Sequence, residues 1–123
     1  MKLFVADRWT DRERAHEVMR RLQVIGHSIT RDWTVFEAAD SDVKCLREYS
    51  IGDLDGVREC DVFILLADQD FQFRGAYAEL GAAIAYGKPC IIVGIFADKC
   101  IHSHHPLVRR VAGLEELYEE LKR

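Results

Sequence analysis

Two continuous apolar runs, Val62 to Ala67 and Cys90 to Phe96, bracket a stretch with helical spacing. A strand-length run without polar alternation suits a strand covered on both faces, as in a parallel sheet. Between the runs, Gly75 to Tyr86 places Tyr77, Leu80 and Ile84 on one stripe and Gly75, Ala78, Ala82 and Ala85 on another. The small-residue stripe is expected to lie close against the sheet. Gly87 tolerates the left-handed backbone that stops a helix, and Pro89 prevents its resumption. The segment is therefore a β-α-β crossover, and Glu79 sits about one turn inside its helix.

The rest of the chain repeats the alternation. Leu3 to Ala6 reads as a short strand ending at Asp7, and Thr10 with Glu13 has the spacing of a capping box. Ala15, Val18, Met19 and Leu22 then recur at helical spacing until Gly26. His27 to Thr34 alternates, with Ile29, Arg31 and Trp33 on one side, which predicts a half-buried edge strand. The Ala38–Asp42 run reads as a loop and Val43 to Tyr49 as a short helix. Ser50 is placed to cap a further helix, with Asp53 in its first turn and Leu54 and Val57 facing inward. After Phe96 an irregular segment leads to a short strand at Val108 to Val111 and an amphipathic helix over Leu114 to Leu121.

Strands alternating with helices through short connections give a doubly wound α/β domain of the flavodoxin-like or Rossmann-like type. About five mostly parallel strands are expected in the order 2-1-3-4-5, with helices on both faces. At 123 residues the chain, 1–123, makes one domain. Ligands of such sheets bind beyond the carboxyl ends of the strands, where the order reverses. Asp7 and Asp68 follow the first and third strands, so both are expected to flank the crevice that Glu79 faces. Acids are also favoured at strand ends and in first helical turns for purely structural reasons.

The net charge of −4 argues against a nucleic-acid polymer as partner. MKLFVAD turns polar too soon for a signal peptide or a membrane span. Cys45, Cys60, Cys90 and Cys100 show no C-x-x-C pairing, and the reading is a reduced, cytoplasmic protein without membrane contact. His102, His104 and His105, with Cys100 nearby, lack a second ordered ligand pair, so no metal site is assigned. No P-loop, G-x-G-x-x-G or G-x-S-x-G motif is present, and no cofactor is expected.

The pattern DLDGVRECDVFILL followed by RGAYAELGAAIAYGKPCIIV resembles the core of the nucleoside 2-deoxyribosyltransferase-like superfamily. Asp53, Val57 and Cys60-Asp61 match the acid, apolar and small-Asp positions before the third strand. Gly75, Glu79 and Gly81 match the Gly-x-x-x-Glu-x-Gly pattern that carries the family's nucleophilic glutamate, and Gly87-Lys88-Pro89 precedes the fourth strand. The resemblance implies N-glycosidic chemistry on a nucleoside or nucleotide, by hydrolysis or base transfer, with Glu79 as nucleophile. It also implies a homodimer or higher oligomer, with Tyr77 or its neighbours near the contact.

Such chemistry needs a carboxylate at the anomeric carbon and a proton donor near the departing base; Asp68 or Asp7 would supply the proton. Trp9 could stack on a base or pack on the first helix, and Arg8 lies beside it. Arg74 and Gly75, at a helix start, could meet a phosphate. Asp98 lies at the sheet's carboxyl edge. The chain departs from the family at Phe73, where Asp or Ser is usual, and in its first loop, Asp7-Arg8-Trp9. Those departures suit the alternative of a catalytically silent nucleotide-binding or sensing module. A third reading is an NAD-cleaving domain resembling the Toll/interleukin receptor type.

Overall fold

A computed structural model describes residues 1–36, 42–70 and 72–122. Five parallel strands form one sheet: β1 (Lys2–Ala6), β2 (Ser28–Ile29), β3 (Val62–Leu66), β4 (Cys90–Val93) and β5 (Val108–Val111), in the order β2-β1-β3-β4-β5. Four helices accompany them: α1 (Arg12–Ile25), α2 (Val43–Glu59), α3 (Gly75–Ala85) and α4 (Leu114–Glu120). The helices pair across the sheet. α2 packs against α3, while Arg21 of α1 reaches over the Tyr118 ring of α4.

The core follows from the apolar runs. Leu3 to Ala6, Phe63 to Ala67 and Cys90 to Val93 are buried throughout, as strands covered on both faces must be. In register, Phe4 sits opposite Phe63, and the two rings stack at 5.7 Å. Among the described residues no helix is long and apolar enough to cross a membrane.

Several elements differ from expectation. β2 has two residues rather than eight. The Thr30 amide still bonds the Leu3 carbonyl (3.0 Å), but the Asp32 side chain then accepts from the Thr34 amide (3.0 Å) and turns the chain into 3-10 helix at Trp33–Val35. Trp33 is buried, with Nε1 donating to the Val5 carbonyl (2.7 Å). The two helices expected around Ser50 are one, α2, capped by Asp42, which accepts from the Lys44 amide (2.6 Å). Ser50 lies inside it, because packing of Tyr49 on Phe36 and of Val57 in the core outweighs the local capping signal. Residues 38–41 of the expected loop lie outside the described residues.

Val57 is buried, whereas Leu54 is exposed. The rotation of α3 also differs: Ala76, Leu80 and Ala83 face the sheet, while Gly75, Ala78 and Ala85 face outward. Leu80 and its flanking alanines bury more apolar surface than the glycine-containing stripe could. The Thr10–Glu13 capping box is absent, since Trp9–Asp11 forms a 3-10 turn and Asp11 takes the N-cap position of α1. β4 ends at Val93 rather than Phe96. Gly94 turns there with φ +88, so that the Phe96 amide can bond the Ala67 carbonyl (3.0 Å).

Candidate active site

Parallel pairing brings the carboxyl ends of β1 and β3 side by side, and with them Asp7 and Asp68. One cation joins them. The Arg14 guanidinium of α1 bonds Asp7 (3.2 Å), Asp11 (3.2 Å) and Asp68. The Asp7 side chain is fully buried and also accepts from the Arg8 amide (2.8 Å). Burial pushes its carboxyl up to about 7, against the lowering effect of the Arg8 amide and of Arg14.

Glu79 has different neighbours. It is half-buried on α3, and among the described residues no cation or hydrogen-bond donor is set against its carboxyl. Burial, reinforced by the negative charge of Asp53 on α2, pushes it up to about 8. The acid that acts on Glu79 is thus Asp53, rather than Asp7 or Asp68. Asp53 is itself raised by burial, which outweighs the hydrogen bond from Arg31 Nε (3.2 Å). Asp7 and Asp68 share Arg14, and the negative charge that acts on Glu79 is that of Asp53.

The other expected site residues divide as follows. Trp9 is half-buried and tilted against Trp33 (6.2 Å), with the Arg12 guanidinium 5.0 Å from its centre. Arg8 is half-buried beside it. Arg74 is exposed at the N-cap of α3 and makes no side-chain cap, and Gly75 is exposed with open space around it. Asp98 pairs with Arg110 (2.9 Å). Phe73 is buried against Tyr77 (5.3 Å) and contributes packing.

In the histidine segment, His104 Nε2 contacts the Asp98 carbonyl (2.7 Å), and His105 Nδ1 accepts from the Leu107 amide (3.1 Å). A cleft of about 300 Å³ is lined by Arg12, Glu13, His16, Thr34 and Val35. None of the expected site residues borders it.

Sequence reasoning assigned no chemical role to Asp53 or Arg31. Asp53 was visible as a motif acid. Its partner stands far away in the chain, and the contact depends on how α2 is rotated.

No family model and no curated protein matches the sequence. Solved structures do. The 2-deoxyribosyltransferase from Bacillus psychrosaccharolyticus superposes with a TM-score of 0.73 at 16% identity, covering 99% of this chain and 96% of that one. A conserved protein from Enterococcus faecalis V583 gives 0.69 at 16% identity, covering 98% and 96%. The Clostridium botulinum CMP N-glycosidase BcmB gives 0.66 at 19% identity, covering 98% of both chains. The likeness is one of architecture over nearly the whole chain: this protein has the nucleoside 2-deoxyribosyltransferase-like fold.

Proposed function

We propose that the protein breaks the N-glycosidic bond of a nucleoside or nucleotide, with Glu79 as nucleophile. The observation that carries this reading is a half-buried carboxyl on α3, beside a second acid and with no cation against it among the described residues. A structural glutamate in a helix would be expected to face solvent or a cation; this one is held where its charge is costly. The fold neighbours that carry out glycosidase or deoxyribosyl-transfer chemistry support it.

In the proposed reaction a Glu79 carboxylate oxygen attacks the anomeric carbon. The carbon–nitrogen bond breaks, its electron pair goes to the base, and a proton from an acid compensates the charge. Asp7, raised to about 7, is the proposed donor, with Asp68 holding Arg14 alongside. Water, or a second base, then attacks the anomeric carbon and releases Glu79. Negative charge from Asp53 favours the oxocarbenium-like transition state. Trp9, Arg8, Arg74, Gly75 and Asp98 are kept as proposed substrate contacts, Arg74 and Gly75 for a phosphate at the start of α3.

The working form is proposed to be a homodimer. Val43, Leu46, Ile51 and Leu54 are exposed along α2, next to the outward small face of α3.

The test is incubation with ribo- and deoxyribonucleosides, their monophosphates including CMP, and NAD, with chromatography for released base. Glu79→Ala should lower kcat by about a thousandfold or more and leave the fold intact. Near wild-type turnover in that variant would end the nucleophile assignment. Phe73, buried against Tyr77 where the family usually has a polar group, favours a second reading as a binding module without turnover. That reading predicts no released base from any compound, with thermal stabilisation by a nucleotide.

A further inference from the structure

Helix α2 carries two interior glycines, Gly52 and Gly56, four residues apart. Each weakens the helix relative to alanine, so their presence calls for a compensating contact. The contact is Arg31. A β-carbon on Gly52 would lie 2.5 Å from the Arg31 guanidinium, and one on Gly56 would lie 2.7 Å from Arg31 Cβ and 3.2 Å from the Phe4 ring. The two glycines open a slot on α2, and the arginine lies along it. Its guanidinium is fixed from a second side by Phe36, whose ring centre is 4.4 Å away and which stacks on Tyr49 of α2 at 4.2 Å. From this seat Arg31 Nε donates to Asp53 Oδ1 at 3.2 Å.

We propose that Arg31 is a positioning residue for the Glu79 site: seated in the Gly52–Gly56 slot, it fixes the Asp53 carboxylate beside α3. This rests on the reading of Glu79 as nucleophile. The charged groups set against Asp53 are Arg31, from the segment after β2, and Glu79, from α3; β1, which also packs on α2, presents Phe4 there. Arg31 favours the ionised form of Asp53, and the charge of Asp53 in turn opposes ionisation of Glu79. Arg31 thus acts on Glu79 through Asp53. An ionised Glu79 then shares the site with the Asp53 carboxylate, which Arg31 holds, and among the described residues no cation touches Glu79 itself.

The decisive variant is Gly52→Ala. The new methyl meets only the far end of a flexible side chain, so the guanidinium swings away while α2 gains helix propensity. We expect a melting temperature at or above wild type. Carboxyl-carbon NMR titration should show Asp53 moving up by about one pH unit or more, with Glu79 displaced from its wild-type titration. On the panel compound that the wild type cleaves fastest, kcat should fall about tenfold or more with KM changed less than about twofold.

Arg31→Met should reproduce the titration and rate changes, and the double variant should do no worse than the poorer single one. Arg31→Lys, which keeps a cation in the slot, should titrate closer to wild type. Unmoved Asp53 and Glu79 titrations in Gly52→Ala and Arg31→Met overturn the proposal, whether or not any panel compound is cleaved. So does wild-type kcat in Gly52→Ala. If Glu79→Ala keeps full turnover, the nucleophile reading falls. If Glu79→Ala is inactive while Gly52→Ala is unaffected, only the Arg31 proposal falls.

Discussion

A carboxyl whose burial outweighs the cations and donors around it stays protonated well past the ordinary range, and Glu79 and Asp7 both do so. For Glu79 the folded value of about 8 lies above the ordinary value of 4.5, so the folded state binds the extra proton between these limits. Its contribution to stability is greatest below about 4.5 and is lost as pH rises through about 8. Asp7 has the same sign, with its loss between 3.8 and about 7. Glu79→Gln removes the ionisation, and thermal melts should match wild type at acid pH. At alkaline pH the variant should melt higher, on the order of 5 °C. Equal melting at both extremes would mean that Glu79 reaches water freely. The same pair shapes the proposed reaction, which needs Glu79 ionised and Asp7 protonated. The kcat/KM profile should be a narrow bell centred between about 7 and about 8, and Asp7→Asn should remove its alkaline limb.

Among the elements, the turn after β4 packs directly on the end of β3. A β-carbon at Gly94 would lie 2.4 Å from Asp68 Cα and 2.5 Å from the Ala67 carbonyl, and its φ of +88 is already unfavourable for other residues. Gly94→Ala should cost about 3 kcal/mol in urea unfolding. It should also push Asp68 away from Arg14. A loss under about 1 kcal/mol would mean that the turn relaxes without strain. The strands around this turn were legible in sequence because burial on both faces writes an unbroken apolar run. α3 was legible from its period and from Gly87. What escaped was set by partners distant in sequence: Trp33 bonding Val5, Phe36 stacking on Tyr49, and Leu80 rather than the small stripe turning α3 to the sheet. The candidate site divided the same way. Glu79 stood out through its motif, whereas Arg31 read as one more residue of an alternating strand. The interior glycines of α2 were its only signal, and their meaning lies in the space they leave.

At the scale of the molecule, α2 presents several exposed apolar side chains on one face. Leu46, Ile51 and Val43 are 51%, 57% and 71% exposed, beside exposed Ala78 and Ala85. If a second copy covers this face, light scattering should report a dimer, and Leu46→Glu with Ile51→Glu should yield monomers with the same far-ultraviolet circular dichroism. A wild-type monomer at working concentration would sink the homodimer proposal. The strand order has a consequence for synthesis. β1 lies inside the sheet and leaves the ribosome before either of its neighbours. β2 gives it only a two-residue partner, and its other edge stays open until β3 emerges. β4 and β5 then add outward, one strand at a time. A nascent chain paused before β3 therefore displays an apolar strand with bare backbone donors and acceptors, the template on which another unfinished copy can pair.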